Sequence, residues 1–366
     1  MNSQPSLNIK IGVFGDPHLT TQLPYTVAGS SFRKDQLISF LEYSFEVMIK
    51  NKVDLILVLG DLCHKTSLGP DDLDLLICFL ELSRISEIPT VIIHGNHDLD
   101  YDESILKFLD RFKENCDNIF FEKDDLFSVY SFPKNVSDEL DYIVAINYCS
   151  DEKFIEIASK YASKEENKLK ILMGHVGVKG TLHGTTTSIR GVKKEDIEEL
   201  SKGYDLILLG HHHNFQFICK NGLYAGSLHQ VRIDERDTVP GSMIMTIKKG
   251  NWKGRRIENT FSPRFYVVED YVLDLYKVKG NIVKVLIDTQ NHSEKENREF
   301  VKKIQDLEPY YLIVPKFKKQ FSTKTLKGKV AKDKDKLTVL KKVIEKMNGK
   351  KYEDHIIQLY EKVING

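Results

Sequence analysis

Five short clusters of histidine, aspartate and asparagine stand along the first two thirds of the chain. They are Asp16-Pro17-His18, Gly60-Asp61, Gly95-Asn96-His97-Asp98, Gly174-His175 and Gly210-His211-His212-His213. Of 12 histidines, ten lie at or before His229. The side chains they offer, from Asp16, His18, Asp61, Asn96, His97, His175, His211 and His213, are carboxylates, one amide and imidazoles, with no thiolate. Such a nitrogen and oxygen mixture suits Mn²⁺, Fe²⁺ or Zn²⁺ and is too rich in imidazole for Mg²⁺ or Ca²⁺. The donors are too many for one ion with an open position and about enough for two. Two ions ~3.5–4 Å apart are the usual device for hydrolysing phosphate esters. They need a carboxylate between them, and the lone Asp61 is the natural bridge. A single Gly-His pair would be read as an ordinary strand end, but five clusters in order are not explained that way.

The elements that must position these residues are legible as apolar runs. Residues 9–14, 53–59, 90–94, 169–173 and 204–209 are near-continuous apolar stretches, and each runs straight into one of the clusters. Runs with little alternation suit strands covered on both faces. Between them, residues 32–50, 72–82 and 103–112 have helical periodicity. Alternating strand and helix predicts an α/β layered domain, in which ligands bind beyond the carboxyl ends of the strands. After His213 the pattern changes to short strands at 215–219, 223–225 and 242–248, with Asn221-Gly222 as a hairpin turn. Pro263 marks a boundary. Beyond it, a strand (282–288), a helix (293–307) and a strand (310–317) predict a small αβ unit, too small to stand far from the first domain. Two amphipathic stretches close the chain, with Leu337, Leu340, Ile344 and Met347 on one face and Ile356, Leu359, Tyr360 and Val363 on another.

Composition bounds the function classes. Hydrophobic residues are 41% and charged residues 29% of 366, which excludes wholesale disorder. No aliphatic run approaches a spanning length of ~20 residues, so no membrane segment is expected. Met1 to Leu7 has no basic stretch followed by an apolar one, so no signal peptide is expected. Five scattered cysteines without a CxxC pair argue for a reducing compartment. The net charge of zero averages unlike parts. Residues 316–351 carry 14 Lys and 3 acidic residues, a net of +11, which leaves −11 for the remainder. A basic terminal segment is either a solvated face or a surface for a polyanion or an acidic partner.

The series Asp-x-His, Gly-Asp, Gly-Asn-His-Asp, Gly-His and Gly-His-x-His, intact from residue 16 to residue 213, resembles the calcineurin-like metallophosphoesterases. A histidine three residues after the aspartate, His64 in Gly60-Asp61-Leu62-Cys63-His64, is similar to the SbcD-type DNA-repair nuclease branch. So is Tyr224-Ala225-Gly226-Ser227 followed by Glu235. The phosphatase branch's Asp-Arg-Gly is not present. In length the chain is nearer to the bacteriophage recombination endonuclease subunits than to the cellular nucleases.

The resemblance implies a four-layer α-β-β-α sandwich at 1–262, a small αβ DNA-binding cap at 263–325 and a basic helical segment at 326–366. It implies two divalent ions, Mn²⁺ for preference. Asp16, His18, Asp61 and His213 would hold the first; Asp61, Asn96, His175 and His211 would hold the second. His97 would protonate or stabilise the leaving oxygen, Asp98 would orient His97, and His64 would help hold the phosphate. The reaction implied is in-line hydrolysis of a phosphodiester by water activated between the ions. The implied partners are DNA, an SbcC-type coiled-coil ATPase bound through the C-terminal helices, and a second copy of the chain in a homodimer. The implied location is the cytoplasm, that of the host for a bacteriophage protein. The alternative is a metallophosphoesterase of small nucleotides or cyclic phosphodiesters.

Other residues are read more plainly. His212 alternates with two ligands and is expected to point away. His94 is expected to pack or to support a ligand, and Cys63 to be a packing thiol. His183, in a polar loop, is a candidate substrate contact. His229 and Arg232 have no assignable place.

Overall fold

The computed structural model describes residues 9–25, 31–100, 103–105, 109, 116–121, 125–131, 140–163, 169–269, 271–287 and 292–314. The chain divides into two units, Met1–Pro315 and Lys316–Gly366. The amphipathic stretches at 337–347 and 356–363, and with them the segment expected to bind a partner, lie outside the described residues.

The first elements are β1 (Ile9–Phe14), α1 (Phe32–Lys50), β2 (Leu55–Leu59), α2 (Pro70–Ser86), β3 (Thr90–Ile93) and β4 (Ile119–Phe121). Next come β5 (Phe127–Tyr130), β6 (Leu140–Ile146), α3 (Asp151–Tyr161), β7 (Leu169–His175), α4 (Lys194–Leu200), β8 (Leu206–Gly210), β9 (Gln216–Cys219) and β10 (Gly222–Tyr224). A hairpin, β11 (Gly241–Lys248) and β12 (Asn251–Glu258), follows. The last described elements are β13 (Phe265–Val268), β14 (Ile282–Val285), α5 (Glu294–Gln305) and β15 (Tyr311–Ile313).

Two six-stranded sheets result. The first has the order β12-β11-β1-β2-β3-β4, parallel from β1 to β4 and antiparallel through the hairpin. The second has the order β9-β10-β8-β7-β6-β5, parallel from β10 to β6 with an antiparallel strand at each edge. Alternate side chains explain the layering. Ile9, Ile11 and Val13 of β1, with Leu55 and Leu57 of β2, bury against Ile171 and Met173 of β7 and Leu206 and Leu208 of β8. Their sequence neighbours Phe14, Ile56 and Val58 bury instead against Leu37, Phe40 and Phe45 of α1 and Phe79 of α2. On the far side, Leu172, Ile207 and Leu209 meet Phe154 and Ile157 of α3 and Ile197 and Leu200 of α4. Strands buried on both faces need apolar residues at every position, which is why the runs show so little alternation. The four-layer α-β-β-α sandwich expected from the sequence is therefore observed.

The helices have local causes. In α1 the buried Leu37, Phe40, Leu41, Phe45 and Met48 recur at helical spacing, and the Asn51 side chain caps the end on the Val47 carbonyl at 2.7 Å. Helix α2 opens on Pro70 with Asp71 and Asp72 in its first turn, where the missing N–H is harmless and negative charge meets the helix dipole. It starts two residues earlier and ends four later than the expected 72–82. Of the expected 103–112 helix, the start differs: Glu103–Ser104 pair with Leu99–Asp100 in a two-residue antiparallel ladder, and most of the remaining span lies outside the described residues.

Strand starts differ for one shared reason. Val53-Asp54 and Tyr204-Asp205, expected as strand, lie just before β2 and β8. Asp54 accepts from the Lys10 backbone N–H at 2.7 Å, and Asp205 accepts from that of Lys170 at 2.9 Å. Each carboxylate thus caps the neighbouring strand instead of extending its own.

Strands β13, β14 and β15 form a separate parallel sheet, with α5 crossing between the last two. The Ser293–Glu296 capping box starts α5, and Val268, Val283, Val285 and Ile304 form its core. The Gln230 side chain accepts from the Phe265 N–H at 2.7 Å and ties this sheet to the sandwich.

The two large sheets come to backbone contact at the carboxyl ends of their strands. A Cβ on Gly15 would lie 1.8 Å from the Gly226 carbonyl oxygen, and one on Gly210 would lie 2.0 Å from that of Leu59. These glycines are required because backbone from the other sheet occupies the space. Gly15→Ala should therefore lower stability by about 3 kcal/mol, the upper range for overpacking, because only backbone can give way. A thermal melt checks this, and an unchanged melting temperature would contradict the contact.

Candidate metal centre

All five clusters converge at this seam. Asp16, His18, Asp61 and Asn96 come from the first sheet; His175, His211 and His213 come from the second. His18, Asp61 and His211 have φ of 44°, 48° and 97°, a left-handed backbone that costs roughly 1–3 kcal/mol each and is held only where surroundings enforce it. The turns aim the side chains back at one point.

The ligand atoms of Asp16, His18, Asp61 and His213 all lie within 4.8 Å of one another. His18 Nε2 and His213 Nε2 are 3.0 Å apart, and His18 Nε2 is 3.5 Å from Asp61 Oδ2. Beside them, His175 Nε2 lies 3.4 Å from the same Asp61 oxygen and 3.2 Å from Asn96 Oδ1. His211 Nδ1 approaches that amide oxygen to 2.9 Å. Two neighbouring donor sets thus share Asp61.

The outer contacts fix which nitrogens face inward. His175 donates Nδ1–H to the Leu59 carbonyl at 2.8 Å, and His213 donates Nδ1–H to Glu235 at 2.8 Å. Both therefore turn Nε2 to the centre. Glu235 is fully buried and also accepts from the Val231 N–H at 2.7 Å. Asp16 accepts from the His211 N–H through Oδ1 at 2.7 Å, while its buried Oδ2 has no hydrogen-bond partner. An orphaned carboxylate oxygen among inward-facing imidazole nitrogens fits divalent cations.

Imidazoles supply the positive charge that the buried carboxylates need. Burial pushes the Asp61 carboxyl up, but the imidazoles of His175 and His18 more than reverse this and hold it well below the carboxylate range. Burial pulls His175 down, and Asp61 raises it to about 9. Asp16 is raised, first by burial, against the pull of His175 and His213.

His97 and His64 sit beside the ligands. Their rings stack at 5.3 Å, and His64 Nδ1 is 3.2 Å from His18 Nδ1. His97 donates its backbone N–H to Asp61 Oδ1 at 2.8 Å and its Nδ1–H to the His64 carbonyl at 2.9 Å. The expected role of Asp98 is corrected here. Its carboxylate accepts from the backbone N–H groups of Leu62, Cys63 and Gly95 at 3.1, 2.8 and 2.9 Å, and the His97 ring is oriented by the His64 carbonyl instead. Asp98 is raised to about 7 by burial and by the Asp61 charge.

His212 points away from the centre, donating Nδ1–H to Thr181 Oγ1 at 2.7 Å and stacking on Tyr224. Cys63 is buried in the core beneath α1 and α2. His183 lies on the rim, its ring 6.3 Å from that of His211 and 6.1 Å from that of His213. Arg232 joins it, with Nη2 2.6 Å from His183 Nε2. His229 is buried and donates Nε2–H to the His18 carbonyl at 3.0 Å, with Arg33 Nη2 3.4 Å from its other nitrogen. Arg33 and the direct support of His213 by Glu235 were not anticipated, because partners 22 or 196 residues apart leave no local pattern.

A calcineurin-like phosphoesterase family model matches residues 9–215, and the chain belongs to that family. The family is one of metal-dependent phosphoester hydrolases that bind two divalent metal ions. An uncharacterized protein of Acanthamoeba polyphaga mimivirus, R555, is 24% identical over 297 residues, covering 77% of this chain; the chain spans only 21% of that relative's length. Among solved structures, GAP50 of Plasmodium, the anchor in the inner membrane complex, covers 85% of this chain and 98% of its own at 11% identity and a TM-score of 0.43. TT1561 of Thermus thermophilus covers 68% and 99% at 10% identity and a TM-score of 0.40. A dimetal phosphatase of Danio rerio covers 69% and 99% at 8% identity and a TM-score of 0.37.

Three buried histidines outside the ligand set have a measurable consequence. Burial lowers His94 to about 4, and His212 and His229 each to about 3. Below pH 6.5 the unfolded chain takes up protons that the folded one refuses, so stability falls as pH drops and levels off near the folded values. Metal-free protein should lose thermal stability progressively from about pH 6.5 to pH 3–4. A flat profile across that window would contradict the burial of neutral imidazole.

Proposed function

We propose that the chain is a manganese-dependent DNA phosphodiesterase, the nuclease subunit of an ATPase-coupled DNA end-processing complex. The observation that carries this reading is the position of the two features shared with the nuclease branch. His64 lies against His18 and His97, and Glu235 braces His213, so both belong to the metal centre's surroundings.

Asp16, His18, Asp61 and His213 would hold one ion and Asp61, Asn96, His175 and His211 the other. When bound, two divalent cations supply a water deprotonated near neutral pH and positive charge against the phosphate oxygens. With Nδ1–H tied to a carbonyl, His97 keeps Nε2 free for a proton given to the leaving oxygen. His64, stacked on it, contacts the phosphate. Asp98 holds the two loops that carry these histidines in register. No helix among the described residues is long and apolar enough to cross a membrane.

The test uses manganese-loaded protein on single- and double-stranded DNA and on bis-p-nitrophenyl phosphate. DNA should be degraded in preference, and exhaustive chelation should abolish the activity. His97→Ser should cut turnover by about 10²–10⁴-fold, the usual contribution of an acid–base group, yet retain both metals. Asp61→Ala should lose metal by elemental analysis. Equal metal loss in the two variants would remove the role given to His97. Preference for bis-p-nitrophenyl phosphate would favour a small-phosphodiester substrate.

The partner assignment is tested by deleting residues 330–366, which contain both apolar stripes. The expected outcome is retained manganese-dependent cleavage of short single strands, an unchanged melting temperature and loss of the ATPase from the complex on gel filtration. A destabilised protein that still binds its ATPase would defeat the assignment.

A further inference from the structure

The rim pair His183 and Arg232 is assigned no role by the metal chemistry. His183 stands in the short Leu182–His183 ladder strand after β7, and Arg232 immediately precedes the turn Ile233–Glu235 that carries the brace on His213. Arg232 Nη2 lies 2.6 Å from His183 Nε2, and a guanidinium can only donate. His183 Nε2 must therefore accept, and the ring proton must sit on Nδ1. That Nδ1 is buried and has no hydrogen-bond partner. It is an orphaned donor, on a ring within 6.3 Å of those of His211 and His213. Arg232 Nε is held by Asp234 Oδ1 at 3.3 Å and Glu235 Oε1 at 3.5 Å, which fixes the guanidinium plane while leaving N–H groups at Nη1 and Nη2 unassigned. Its side chain is 48% exposed, so a ligand can reach it.

An orphaned N–H beside a braced guanidinium, one histidine ring away from the ligands, is suited to an anionic oxygen. The metal centre already accounts for the phosphate that reacts. We propose that His183 and Arg232 form a subsite for a second phosphate, the one flanking the scissile phosphodiester in a nucleotide chain. This assignment of substrate class rests on the proposed phosphodiesterase reading. It predicts that nucleotides with two phosphates are recognised more tightly than those with one, whether or not DNA is the physiological substrate.

The experiment compares thymidine 3′,5′-bisphosphate with thymidine 5′-monophosphate. Each is titrated into the full-length manganese-loaded protein by calorimetry, and each is tested as an inhibitor of bis-p-nitrophenyl phosphate hydrolysis. The wild type should prefer the bisphosphate by about tenfold, the ratio that about 1.4 kcal/mol gives. Arg232→Gln and His183→Gln should each bring that ratio towards one. Arg232→Lys should restore part of it, as charge without the planar fork. The calorimetric ratio remains readable even if a variant loses turnover. A wild-type ratio near one, or a ratio unchanged in both glutamine variants, would overturn the subsite. Failure to cut DNA with the ratio intact would remove the nuclease reading and leave the subsite standing.

Discussion

The structure depends on burying two carboxylates, Asp16 and Asp61, at 0% and 2% exposure, in a pocket walled by imidazole. No lysine or arginine ion pair to either is found among the described residues; their charge partners are His175 and His18. Carboxylates taken out of water without compensation are strongly unfavourable. Here compensation comes from backbone N–H groups and from imidazoles whose outer nitrogens are already committed, a donor set that also fits cations. The left-handed turns at His18, Asp61 and His211 follow from this requirement, since they are what bring donors from separate strands to one point.

Because the donors come from both sheets, the centre is also the seam of the sandwich. Gly15 meets Gly226 and Gly210 meets Leu59, so the sheets approach to backbone contact just where the ligands emerge. An isolated bridge between Asp16 and Ser227 joins the same segments. Packing of the Ile11, Leu57, Ile171 and Leu208 layer therefore fixes the spacing of the candidate metal ligands, and binding of cations would in turn clamp the sheets. The centre and the core are one cooperative arrangement, with function sited on rigid strand ends.

What the sequence revealed divides along the same line. Strands β1, β2, β3, β7 and β8 were legible because burial on both faces demands unbroken apolar runs, and their ligands were legible because each directly follows its strand. Strands β4, β5, β6, β12 and β13 were missed. The stretch 251–258 is mostly exposed at a sheet edge, with only Ile257 buried, so its apolar content is low. Helices α3 and α4 were missed because they are short, at 11 and 7 residues, and present only a few buried positions each. At the site, local clusters were readable, whereas supports reached through space were not. Arg33, His229 and Arg232 acquire meaning only once α1 and the 229–235 segment lie beside the ligands.

The correction at Asp98 shows what the cluster Gly95-Asn96-His97-Asp98 is built to do. The resemblance made Asp98 the partner of the His97 ring, yet both of its oxygens are taken by backbone N–H groups, two from the Asp61 loop and one from Gly95. The buried carboxylate therefore locks the loop after β2 to the loop after β3. That lock places His97 N–H on Asp61, and it places the His64 carbonyl where it takes the His97 Nδ1 proton. Asp61, His97 and His64 are thus held as a single body. Three hydrogen bonds to one carboxylate hold them, a stronger constraint on geometry than a single bond to one ring would be.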